Sequence, residues 1–98
     1  MLVRFDWDDA KNRQNQRKHG VAFDDAQRLF ESGSDYLEVF DAEHSEDEDR
    51  FIAVGPTRGG ILVVVWTDRG DGVMRIISAR PATHREAEWF RERMGDLL

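Results

Sequence analysis

The chain has 98 residues, a formal net charge of -6, 40% hydrophobic and 35% charged residues, and no cysteine. Its length fits one domain, residues 1–98, with a single modest core, and its composition excludes a disordered polymer. The missing cysteines exclude a disulfide framework and a thiolate zinc site. The N-terminal MLVRFDWDDA has neither an apolar leader core nor a spanning segment, so a soluble cytoplasmic protein is expected.

Residues 2–6 can form a short strand. Asp8 then N-caps a helix reaching about Lys18, and Gly20 ends it at the position that favours a left-handed residue. This helix contains KNRQNQRKHG, which gathers Lys11, Arg13, Arg17, Lys18 and His19 without one acid or one apolar side chain. A helix lacking an apolar stripe has no core-facing reason to form, so its charge is the feature to explain. Cations in its last turn complement the helix dipole, which is a purely structural part of the answer. The opposite charge collects in Glu38, Asp41, Glu43, Glu46, Asp47, Glu48 and Asp49, with no Lys or Arg among them.

A second helix follows, with Asp24 as its expected N-cap and Phe23, Ala26, Leu29 and Phe30 on one face, until Ser32-Gly33-Ser34 ends it. Strands are expected over residues 36–40 and 50–54, flanking the acidic loop, with Pro56 and Pro81 marking turns or element ends. Residues 61–66 form a continuous β-branched and aromatic run, as in a central strand buried on both faces. Residues 68–72 make a hairpin into a strand over 73–79, which favours antiparallel pairing. Thr83 caps the last helix and Glu86 completes a capping box. Ala87, Phe90, Met94 and Leu97 then share one apolar stripe, with Trp89 off it.

Period-two alternation through MRIISAR places Met74, Ile76, Ser78 and Arg80 on one strand face and Arg75, Ile77 and Ala79 on the other. Arg80, at the strand end before Pro81, has a fixed base and a free head. Its planar fork suits a phosphate or carboxylate, and pairing with the acidic loop is the structural alternative. Arg69 in the hairpin is either a further cation for an anionic ligand or a solvated turn residue. His19 either caps its helix or transfers protons, since an imidazole titrates near neutrality. Glu46 and Glu48 offer a carboxylate for acid–base work or belong to a solvated loop. His44 with Glu43, Glu46 or Asp47 matches no recognised metal cage, and His84 sits in the first turn of a helix. No phosphate-cradling glycine loop, nucleophile elbow or metalloprotease helix is present, so neither a metal nor a cofactor is expected.

Read in order, FDWDDAKNRQNQRKHGVAFDDA, HSEDEDRFIAVG and LVVVWTDRGDGVMRIISARPATHREAEWF strongly resemble the BrnT family of bacterial type II toxins. The most specific parts are Trp7-Asp8 to Lys11, Asn15, Lys18-His19-Gly20-Val21, Glu46 with Arg50, and Ile77-Ser78-Ala79-Arg80 followed by Ala82 and Glu86. The resemblance implies an α+β, RelE-like fold: a small antiparallel sheet with two N-terminal helices and a C-terminal helix. It further implies a cofactor-free ribonuclease toxin that halts translation. A BrnA-type antitoxin would hold it in a hetero-oligomer and alone reach operator DNA, with no membrane involved.

On that basis Arg80 and Arg69 are expected to stabilise the phosphate and the transition state, with His19 or Glu48 moving protons. Lys11, Arg17, Lys18 and Arg75 are candidates for RNA binding, and Trp89, Leu97 and Leu98 for antitoxin contact. Trp66 stands where a Tyr or another polar aromatic is expected, and Phe90 where a Tyr is common. A toxin-like scaffold without catalysis, acting as co-repressor or interaction partner, is the second expectation, and the net acidity favours it. A direct DNA-binding protein would need a basic recognition helix that this chain lacks.

Overall fold

The computed structural model describes residues 3–95. Its elements are β1 (Arg4–Asp6), α1 (Asp9–His19), α2 (Phe23–Glu31), β2 (Leu37–Phe40), a one-turn 3-10 helix (Ala42–His44), β3 (Arg50–Thr57), β4 (Gly60–Gly70), β5 (Val73–Pro81) and α3 (His84–Gly95). The strands form one five-stranded sheet in the order β1-β5-β4-β3-β2. The α+β expectation holds, but the sheet is mixed: β1 runs parallel to β5, and the other neighbours are antiparallel. β1 enters before α1 and α2 carry the chain across one face, so it joins the sheet beside the last strand rather than through a hairpin.

α1 starts and stops where its sequence dictates. Asp8 Oδ1 accepts the Lys11 backbone N–H at 3.1 Å, which holds the Asp8 carboxyl below its ordinary pKa. Gly20 adopts φ 71°, and its N–H donates to the Gln16 carbonyl at 2.9 Å. The expectation that nothing in this helix faces the core is corrected by Asn15, which is buried. Its Nδ2 donates to the carbonyls of Val21 (2.8 Å) and Ala79 (2.7 Å), and its Oδ1 accepts the Ala79 N–H at 3.2 Å. β1 pairs with β5 only as far as Arg75, so the edge of β5 at Ala79 is open. The Asn15 amide fills that edge as a surrogate peptide group, satisfying donors and acceptors that burial would otherwise orphan.

Asn12 does related work one turn earlier. Its Oδ1 accepts the Phe23 N–H at 2.9 Å, across the junction with α2. The expected Asp24 cap is therefore corrected: Ala22 occupies the N-cap position, has no side-chain acceptor, and the preceding helix supplies one instead.

α2 buries Phe23, Ala26 and Leu29 against Ala53, Leu62, Val64, Ile76 and Ala79 on one sheet face. Each large side chain so buried contributes about 1.5–3 kcal/mol. Gly55 passes beneath this helix, where a Cβ would lie 2.7 Å from Tyr36 Cβ and 3.2 Å from Leu29 Cγ. On the opposite face Val54 and Val63 meet Phe90 of α3, with Ile52, Ile61, Trp89 and Met94 around them. Trp89, expected off the stripe, thus packs beside Phe90. Leu97 and Leu98 lie outside the described residues.

Phe90, placed among valines, has no need of a hydroxyl. Trp66 uses its indole instead: Nε1 donates to Glu38 Oε1 at 2.9 Å, and the ring stacks on Phe51 with centroids 4.8 Å apart. Pro56, expected at a turn or an element end, lies at the end of β3, one residue before its last. It falls beyond Val54, where β2 stops pairing, on a free edge that tolerates a residue without N–H.

The simple alternation expected along β5 is also corrected. Val65 pairs with Ser78 but Trp66 with Ile76, so Ile77 is an extra residue in a β-bulge. Ile76 and Ala79 consequently share the helix-covered face, whereas Ser78 and Arg80 face the other way.

Asn15→Ala is expected to destabilise the fold by about 2–4 kcal/mol, because it strands buried backbone groups at both the helix turn and the strand edge. Urea unfolding followed by tryptophan fluorescence gives the value, and a loss below about 1 kcal/mol would mean that water replaces the amide.

Candidate functional site

Arg80 stands near the end of β5, on the face to which the bulge turns it, and its head is not free. Nη1 donates to Glu86 Oε1 at 2.7 Å, Nη2 to Glu86 Oε2 at 2.8 Å, and Nη1 also to the Pro81 carbonyl at 3.3 Å. Its carboxylate partner comes from the first turn of α3 rather than from the acidic loop. Glu86 is itself fixed by the capping box: Thr83 N–H donates to Oε1 at 2.9 Å, while Glu86 N–H donates to Thr83 Oγ1 at 3.1 Å.

The two side chains are about one third exposed, 38% and 34%. Hydrogen bonds from Arg80, aided by the Thr83 N–H, pull the Glu86 carboxyl from 4.5 down to about 2, while the same pairing raises the Arg80 pKa. Glu86 is therefore an ionised positioning group at neutral pH, not an acid or base poised for proton transfer.

A guanidinium has two bidentate edges. Glu86 occupies the edge formed by Nη1 and Nη2; Nε and the second Nη2 proton have no hydrogen-bond partner among the described residues. Arg80 and its partner Glu86 border an open groove of about 280 Å³ on the sheet face away from α1 and α2, with Val39, Ile52, Val63, Val65, Ser78 and Trp89 also lining it. Arg93 lies 5.5 Å from the centroid of the Trp89 ring. The groove therefore combines an arginine edge, a hydroxyl and an aromatic wall on a largely apolar floor.

The other expected catalytic residues do not join Arg80. Arg80 pairs opposite Val63, and Arg69 lies six residues further along β4, about 20 Å away at the strand rise. Glu48 is at that same far end, 3.6 Å from Arg50. Asp49, next in the loop, accepts through its carbonyl from Thr67 Oγ1 of β4 at 2.6 Å. His19 is at the near end but on the other side of the sheet, where it borders a cleft with Arg28 and Arg58. The structure thus does not bring Arg69, and either His19 or Glu48, together with Arg80: sequence order places those residue types in the chain but does not assign them to the same end and face of the sheet.

Among the proposed RNA-binding residues, Arg75 is engaged by Asp6 at 3.4 Å across the β1–β5 pair. Lys11, Arg17 and Lys18 are exposed on α1. Of the remaining histidines, His44 meets Asp41 at 2.9 Å and His84 meets Glu88 at 3.0 Å. Among the described residues no three His, Cys, Asp or Glu side chains converge as a metal site, and no helix is long and apolar enough to cross a membrane. Sequence reasoning missed Arg28 and Arg58. The Arg58-Gly59-Gly60 run is a hairpin signal for the latter.

These features define a small α+β domain whose open sheet face presents an arginine edge suited to an oxyanion. Residues 7–86 match the family described as the ribonuclease toxin BrnT of type II toxin–antitoxin systems, and the chain belongs to that family. Membership implies an antitoxin partner. The structure is similar to the 1.1 Å crystal structure of the Brucella abortus ribonuclease toxin BrnT, with TM-score 0.65 and 26% identity, covering 85% of this chain and 100% of that one. No curated protein matches the chain.

The Glu86 carboxyl titrates lower in the folded than in the unfolded chain. Its contribution to stability is therefore complete above about 4.5 and is lost as pH falls from there toward about 2. Partial exposure makes that contribution modest. Thermal midpoints through this range should fall less steeply for Glu86→Gln than for the wild type; parallel curves would contradict the pairing.

Proposed function

We propose that this chain is the endoribonuclease of a type II toxin–antitoxin pair and that the scissile phosphate binds at the Arg80 groove. The observation carrying this reading is the unoccupied side edge of a guanidinium whose other edge is clamped by Glu86. In RNA cleavage the 2′-oxygen attacks the adjacent phosphorus, negative charge builds on the non-bridging oxygens, and the 5′-oxygen leaves. A fixed bidentate donor pair stabilises that charge without reorganising as the reaction proceeds. Trp89 offers a face on which a neighbouring base stacks, and Ser78 adds a hydroxyl. No imidazole lines the groove among the described residues, so the groove supplies charge stabilisation, the 2′-hydroxyl proton goes to water, and water protonates the leaving 5′-oxygen.

Cutting RNA inhibits translation, and the chemistry needs cations rather than a bound metal. A RelE-like scaffold and a BrnA-type antitoxin belong to the same proposal. The antitoxin would cover the groove around Trp89, make the complex a hetero-oligomer, and reach operator DNA through its own domain. The chain's net charge of -6 favours the second reading, a non-catalytic co-repressor.

Arg80→Ala is expected to reduce RNA cleavage by roughly a hundredfold or more. Arg80→Lys should recover little, because an ammonium cannot span two oxygens. Growth and total RNA after induction, with and without the antitoxin gene, measure this. Arrest with RNA loss that Arg80→Ala relieves fits the enzyme. Intact RNA from abundant, folded wild-type protein would instead favour the co-repressor.

A further inference from the structure

A second group of cationic residues, apart from the Arg80 groove, lies on the other side of the same sheet end. There the C-terminus of α1, the outer face of α2 and the β3–β4 hairpin enclose a cleft of about 450 Å³, bordered by His19, Arg28, Arg58 and Pro81. Arg17 and Lys18 are exposed in the last turn of α1, beside it. Asp25 also lines the cleft and meets Arg28 at 3.5 Å, but this pair is well exposed, at 53% and 68%, and holds Arg28 only weakly. A shallower neighbouring depression shares Arg28 and Arg58 and carries Glu31. Among the described residues no carboxylate forms a salt bridge with Arg17, Lys18 or Arg58.

Helix dipoles account for cations in the last turns of α1 and α2. They do not account for Arg58, which projects from a two-residue hairpin turn with no acid in it. A Cβ at Gly60, in the same hairpin, would meet nothing within 4 Å, so the hairpin tip stands open.

We propose that this cleft is a second RNA-binding site, gripping backbone phosphates of the single strand whose scissile bond lies at Arg80. The inference rests on the ribonuclease reading. Continuity favours RNA over an acidic protein segment. Pro81 borders the cleft, and its carbonyl accepts from Arg80 at 3.3 Å, so the two cationic sites lie on either side of one strand end. A polymer with a phosphate at every nucleotide can reach both by passing over that end. Arg28 and Arg58 then neutralise phosphates and release their counterions, giving affinity without reading sequence.

The test uses the full chain and a short fluorescent single-stranded RNA carrying 2′-O-methyl groups, which block the attacking hydroxyl. Anisotropy titrations across a salt series compare wild type, Arg28→Ala with Arg58→Ala, and Arg58→Glu alone, each checked for an unchanged thermal midpoint. The double variant should bind at least several-fold more weakly at low salt, with the log–log salt slope reduced by about 0.7 for each phosphate no longer neutralised. Charge reversal at Arg58 should by itself weaken binding at low salt, although Arg28 remains. Wild-type affinity and slope in both variants would overturn the proposal. So would normal RNA binding with weakened antitoxin binding, which would give the cleft to an acidic protein segment. If Arg80→Ala loses cleavage while the cleft variants bind normally, the ribonuclease reading stands without the cleft. If the cleft variants lose binding while no protein cleaves RNA, the cleft stands without the ribonuclease.

Discussion

The hydrogen bonds of Asn15 are the constraint on which the arrangement depends. They tie the α1–α2 turn at Val21 to the strand edge at Ala79, groups separated by most of the chain. With α1 fixed, Asn12 can cap α2, and α2 can lay Phe23, Ala26 and Leu29 on the sheet. Ala79 immediately precedes Arg80, so the bonds that secure α1 also secure the base of the groove's arginine. An apolar residue at position 15 could fill the space, but it would leave the open β5 edge unsatisfied in a dry environment, which is the larger cost.

Arg80 and Glu86 extend that constraint to the other face. A partly exposed ion pair adds little net stability, so its value lies in geometry. Each oxygen of Glu86 meets a guanidinium nitrogen, and one also accepts the Thr83 N–H that opens α3. The helix start and the arginine are thereby set relative to each other. This local neutralisation also lets Arg80 lie beside Val39, Val63 and Val65 without an unpaired charge against apolar surface.

What the sequence made legible was local. The Asp8 and Gly20 caps, the Thr83–Glu86 capping box, the apolar face of α2 and the central strand each follow from residues within a few positions of one another. What it concealed was long-range. Asn15 stands out in the sequence only through the family resemblance, and its structural role is hidden because its partner Ala79 is 64 positions away. The bulge at Ile77 has no marker in MRIISAR, yet it decides that Ile76 and Ala79 share a face and that Arg80 leaves it. Parallel pairing of β1 depends on a crossover that no local pattern announces. The candidate site divided in the same way. Arg80 is legible as a cation at a strand end, its pairing with Glu86 is not, and Arg69 and Glu48 share its chemistry although the sheet sends them to its far end.

The charge pattern makes physical sense on that sheet. The acidic loop meets the sheet where Arg50 pairs with Thr67, and the basic cleft meets it near Gly60, about 23 Å away along β4. That separation is more than twice the screening length of about 8 Å at physiological ionic strength, so neither end feels much of the other's field. A net charge of -6 then governs solubility and the weak repulsion met by a distant polyanion, while the short-range field at the cleft follows from Arg28 and Arg58, opposed in part by Asp25. The acidity of the chain and a cationic site for RNA are compatible because the sheet holds them at opposite ends, beyond the reach of a screened charge.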